Sequence, residues 1–154
     1  MNLKGHLGTS IFAYTIIVSP IFLDIPISEP LFIYLLIFMI MGERLVDTID
    51  FQILKRLYDE DAPYYEYHRK WTHGLLSWTL ISIYALNSGN INLIFFVFGV
   101  LMHLSMDVLT GKIPLLIYGS PKIGIKINNL VELGDKFFIP LIMSSILITI
   151  STLN

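Results

Sequence analysis

Five apolar runs separated by short polar stretches constrain this chain more than any other feature. They are HLGTSIFAYTIIVSPIFL (6–23), LFIYLLIFMIMGERLV (31–46, with a helical continuation through DTIDFQILKRL), HGLLSWTLISIYAL (73–86), INLIFFVFGVLMHLSMDVL (91–109) and FFIPLIMSSILITISTL (137–153). A helix needs about 20 mostly apolar residues to cross a bilayer. The third run reaches that length only if it is extended backward through Trp71 and forward past Asn87. Of the 154 residues, 55% are hydrophobic and only 14% are charged, against roughly a quarter charged in a soluble domain. Mean hydropathy is +0.70, and the polar surface is too small to cover a soluble fold. The expected fold is all-α: one membrane-embedded domain over 1–154, an integral bundle of about five transmembrane helices with its polar site on the cytoplasmic face. The first run reads as a retained helix, because Lys4 is its only basic flank and no small-residue cleavage pattern precedes DIPISEP.

Charge placement orients the bundle. All ten basic residues fall in three places: Lys4, the stretch from Arg44 to Lys70, and the stretch from Lys112 to Lys136. The turns DIPISEP and NSGN and the C-terminal tail carry none. Excess Lys and Arg mark cytoplasmic loops, so the chain is expected in the cell (inner) membrane, multi-pass, with a cytoplasmic N-terminus and an external C-terminus. Residues 111–136 then form a cytoplasmic loop, whose Gly and Pro punctuation around KIGIKI suits a small interfacial hairpin or an amphipathic lid.

That orientation puts the ionisable residues at one depth. His6 opens the first helix; Glu43, Asp47 and Asp50 follow the apolar part of the second at spacings of four and three; His68 and His73 open the third; His103 and Asp107 end the fourth as an i,i+4 pair on one face. A single interfacial histidine is usually an amphipathic anchor. All four of the chain's histidines gathered on one side, with carboxylates between them, point to a site. Asp107 is the most telling, since it follows FFVFGVLMHLSM with no basic neighbour within a helical turn. The chain has no cysteine, so a metal here must be held by imidazole and carboxylate, a donor set that suits Zn, Mn or Fe.

Other chemistries fail on inventory. There is no GxSxG elbow, Walker loop, GxGxxG or cysteine nucleophile. The basic loops are too weakly charged, and too mixed with acids, for nucleic acid. Membrane lipids are the expected partners, attracted at their anionic headgroups.

The motifs HRKWTHG and HLSMDVLTGKIPLL together resemble a family of predicted membrane-bound metal-dependent hydrolases, also described as LexA-binding, inner-membrane-associated hydrolases. The matching positions are His6, the VDTIDF element with Asp47 and Asp50, then His68, Arg69, Thr72 and His73, and finally His103, Asp107, Thr110, Gly111 and Pro114. Phe51 stands where the family has a histidine, Gly74 where serine is common, and the proline of the acidic element is absent. The resemblance implies metal-dependent hydrolysis. On this reading His6, Asp50, His68, His73, His103 and Asp107 hold one or two divalent ions. Arg69, Asp47 and Thr72 are the candidate catalytic residues. Arg69 suits bidentate recognition of a phosphate, Asp47 is a further ligand or orients a histidine, and Thr72 also suits the N-cap of the third helix. The expected substrate is a lipid-like phosphoester. A metal-ion or proton transporter is the alternative from another class, and a membrane interaction protein with a structural metal is a third. A transport path needs ionisable groups at several depths, and the outer halves of these runs carry essentially none.

Overall fold

The computed structural model describes residues 3–18, 28–54, 72–116, 121–125 and 144–145. These residues are mostly helical: α1 (Leu3–Val18), α2 (Glu29–Asp47) with a π-helical continuation (Thr48–Leu54), α3 (Leu75–Ser88) and α4 (Ile91–Thr110). Two short strands follow, β1 (Ile113–Pro114) and β2 (Lys122–Ile123), paired antiparallel with Ile113 opposite Ile123.

Local chemistry sets the helix ends. α2 begins after the extended Ser28 with a proline in its first turn, where the missing N–H costs nothing. The NSGN turn stops one helix and starts the next. Gly89 closes α3 in the left-handed conformation at φ 63°, which suits a residue without a Cβ. Asn90 caps α4 by accepting from the backbone N–H groups of Asn92 and Leu93.

Packing alternates helix direction. Residues 39 and 42 of α2 lie against 99 and 96 of α4, while further along Glu43 meets His103; these two helices run parallel. α1 is antiparallel to α4, with His6 stacked on His103 and Tyr14 against Phe95. In α3, the C-terminal residues Ser82, Ala85 and Leu86 face Ile94, Val97 and Leu101 of α4 across a cavity of about 140 Å³. The starts of α1 and α3 therefore meet the ends of α2 and α4.

The α2–α4 contact is backbone on backbone. A Cβ at Gly42 would collide with the carbonyl of Phe96, and one at Gly99 with the carbonyl of Met39. Small residues permit this approach, which leaves the next side chains of the two helices, Glu43 and His103, within bonding reach. Tyr14, Leu35 and Met39 form one buried apolar cluster, with the Tyr14 hydroxyl donating to the carbonyl of Phe32 at 2.6 Å. Val46, Val100, Leu104 and Ile113 form a second, next in sequence to Asp47 and His103.

Among the described residues, α4 alone is both long and apolar enough to cross a membrane. α3 is apolar but has 14 residues, and α2 carries Glu43, Arg44 and Asp47 in its last turns. The expectation of five spans therefore rests on one qualifying helix here. The fifth apolar run, 137–153, lies outside the described residues apart from 144–145.

Candidate metal centre

The helix alternation delivers histidines and carboxylates to one end of the bundle. His6 comes from α1, Glu43 and Asp47 from α2, Asp50 from the π-helical turn, His73 from the segment entering α3, and His103 and Asp107 from α4. All are buried except Asp47, whose side chain is 23% exposed. Its Oδ1, the oxygen turned toward the imidazoles, is nevertheless buried.

Two histidines are gripped in the same manner. His73 Nδ1 lies 2.9 Å from Asp50 Oδ2, and His103 Nδ1 lies 3.3 Å from Glu43 Oε1. A carboxylate on Nδ1 fixes the proton there and leaves Nε2 as the basic nitrogen. The two Nε2 atoms turn toward the same oxygens. His73 Nε2 is 3.2 Å from Asp107 Oδ2 and 3.5 Å from Asp47 Oδ1. His103 Nε2 is 3.6 Å from each of those oxygens.

These separations distinguish two kinds of contact. A charge-assisted hydrogen bond runs about 2.7–2.9 Å, and only Asp50–His73 meets that range. The Nε2 contacts are longer. They match the spacing of donors around a shared ion, since tetrahedral bonds of about 2.0–2.1 Å place neighbouring donor atoms roughly 3.3–3.4 Å apart. Two sets, Asp47–His73–His103 and His6–Glu43–His103, each hold their donor atoms within 4.8 Å of one another. These buried groups can hold a metal ion. The orphaned atoms fit that use: His103 Nε2, both nitrogens of His6 and Glu43 Oε2 have no hydrogen-bond partner among the described residues. Leaving such atoms unsatisfied in a buried site costs about 1–3 kcal/mol each, more where charged.

The π-helical turn explains how two acids only three residues apart reach the same ring. A π-turn is wider than an α-turn and is common at functional sites. Here it carries Asp50 to the Nδ1 side of His73 while Asp47 stays at Nε2. Asp50 also accepts from the backbone N–H of Thr72 at 2.9 Å.

Six of the nine candidate residues from the sequence, His6, Asp47, Asp50, His73, His103 and Asp107, meet in this cluster. His68 and Arg69 lie outside the described residues. Thr72 sits beside the cluster but does not cap α3. Its hydroxyl donates to the carbonyl of Val46 at 2.7 Å, and Gly74 is the N-cap. The expected arrangement is altered at the acids: Asp50 backs a histidine from behind, and Asp47 stands among the converging Nε2 atoms. Glu43 joins the site without having been a candidate ligand in the sequence. Its signal was the spacing of four from Asp47 along one helix face.

Gly74 adds a constraint of its own. A Cβ there would collide with the carbonyl of Leu116, and Leu76 donates its backbone N–H to the carbonyl of Leu115 at 2.8 Å. The segment after α4 thus packs directly on the segment carrying His73. No protein-family model, curated protein or solved structure matches this chain.

Proposed function

We propose that this chain is a membrane-embedded, divalent-metal-dependent hydrolase that cleaves a phosphoester in a lipid-like substrate with water. The observation that carries the proposal is the pair of histidines, His73 and His103, each backed at Nδ1 by a buried carboxylate and each presenting Nε2 to Asp47 and Asp107. A salt-bridge network built only for stability gains little from burying so many acids. Zn, Mn and Fe all suit the donors. The resemblance of HRKWTHG and HLSMDVLTGKIPLL to membrane-bound metal-dependent hydrolases supports the same reading.

His73, His103, Asp107 and Asp47 would hold the ion. When bound, it supplies a Lewis acid and makes water acidic enough to ionise near neutral pH. Asp50 and Glu43 keep the Nδ1 protons in place and the Nε2 lone pairs inward. Asp47, partly exposed at its side chain, would serve the ion with Oδ1 and take up a proton on its second oxygen. Arg69 is assigned to the phosphate on its chemistry, a planar fork of donors.

A multi-pass location in the inner membrane, with five spans and a cytoplasmic N-terminus, is part of this proposal. Helix direction alternates and α4 is of spanning length. Ile33, Ile37 and Met41 of α2 and Leu80, Ile83 and Tyr84 of α3 point outward at 50% exposure or more, an outer face that suits acyl chains and not water. The distribution of lysine and arginine sets the orientation.

The test is a screen of detergent-purified protein, with and without Zn²⁺ or Mn²⁺, against phospholipids and soluble phosphodiesters. Metal-dependent hydrolysis lost in His73→Ala and Asp107→Asn is expected. Metal uptake into liposomes without hydrolysis would overturn the proposal in favour of a transporter.

A further inference from the structure

The orienting acids account for His73 and His103, but His6 and one oxygen of Glu43 have no part in that scheme. His6 is 2% exposed and Glu43 fully buried. Neither nitrogen of His6 and not the second oxygen of Glu43 finds a hydrogen-bond partner among the described residues. His6 stacks on His103 with ring centroids 4.4 Å apart, and its Nε2 lies 3.4 Å from Asp107 Oδ1. That separation again exceeds a charge-assisted hydrogen bond of about 2.7–2.9 Å and suits two donors on one ion. A His6 nitrogen, a Glu43 oxygen and a His103 nitrogen also fall within 4.8 Å of one another, and Asp107 joins them through its contacts with both imidazoles.

Asp107 links the two halves. Its Oδ2 faces His73 and His103, and its Oδ1 faces His6. A carboxylate with each oxygen turned to a different imidazole set is the chemistry of a bridge between two cations. We propose that His6, Glu43 and Asp107 form a second divalent-cation site, adjoining the one at Asp47, His73 and His103, with Asp107 shared between them. This inference rests on the metal reading of the centre given above and assigns Glu43 a double role, orienting His103 with one oxygen and binding the second cation with the other. The donors are imidazole and carboxylate without sulfur, so the second site takes the same class of ion as the first.

The test is metal stoichiometry of the full chain in detergent, measured by elemental analysis after saturation with Zn²⁺ and removal of excess. Two equivalents are expected for the unaltered protein and one for both Glu43→Gln and His6→Gln. Glutamine keeps a carbonyl that accepts from His103 Nδ1 but is a poor ligand, so a Glu43 that only orients His103 would weaken the first site by about 10–100-fold yet leave two equivalents bound in Glu43→Gln at saturating Zn²⁺. Loading with Mn²⁺ gives a second readout by paramagnetic resonance: a spin-coupled pair in the unaltered protein and an isolated ion in either variant. Helical circular dichroism establishes that the variants fold. One equivalent in the unaltered protein, or two retained in Glu43→Gln, overturns the second site and leaves the hydrolase reading standing. No bound metal in the unaltered protein overturns both.

Discussion

Asp50 Oδ2 lies 2.9 Å from His73 Nδ1, and both side chains are fully buried. This pair decides which nitrogen of His73 faces the centre. The same carboxylate receives the backbone N–H of Thr72, so the approach to α3 is tied to the turn after α2 through one side chain.

Asp50→Asn removes the charge that holds the Nδ1 proton while preserving shape. Acids that back a metal-binding histidine are worth about 10–100-fold in metal affinity. A loss of that size is expected for Asp50→Asn in a competitive Zn²⁺ titration, with helical content unchanged.

Metal removal should lower stability. An ion that binds only the folded state at 100 times its Kd adds about 2.7 kcal/mol. Thermal unfolding in detergent is expected to shift down on chelation and back up on adding Zn²⁺. In Asp107→Ala, which loses the carboxylate turned to His6 on one side and to His73 and His103 on the other, the chelator should have little effect.

The close contact of α2 and α4 predicts a remote effect on the site. A Cβ at Gly99 meets the carbonyl of Met39, so Gly99→Ala must push the helices apart. Overpacking of this kind costs about 1–3 kcal/mol. Lower thermal stability together with weaker metal binding is expected, because Glu43 and Asp47 move relative to His103. Unchanged metal affinity would show that the site does not depend on this contact.

Thr72 tests whether a positioning hydrogen bond matters. Thr72→Val leaves volume nearly constant but removes the donor to the Val46 carbonyl. Destabilisation of about 1 kcal/mol follows from the lost bond, and Thr72→Ser should restore most of it. Chemical denaturation of the three proteins side by side checks the order.

Much of the centre was legible in the sequence. The apolar runs fixed four helices, and the positions of His6, His73, His103 and Asp107 within them placed these residues at ends that meet once helix direction alternates. Spacing along a helix defines a face, so the i,i+4 pair of His103 and Asp107 could be read directly. What spacing cannot define is the partner that a face meets, or which atom of a ring it meets. The π-helical turn changes the angular step after Asp47, and this sends Asp50 behind His73 and leaves Asp47 in front. The burial of Glu43 against His103 depends on Gly42 and Gly99, residues 57 apart in sequence, clearing space for one backbone against another. The sequence alone determined the donor types and the end of the bundle they occupy, because composition and helical period are local properties. Only the tertiary structure decided which carboxylates orient and which converge with the imidazoles, because that depends on the distance and rotation between packed helices.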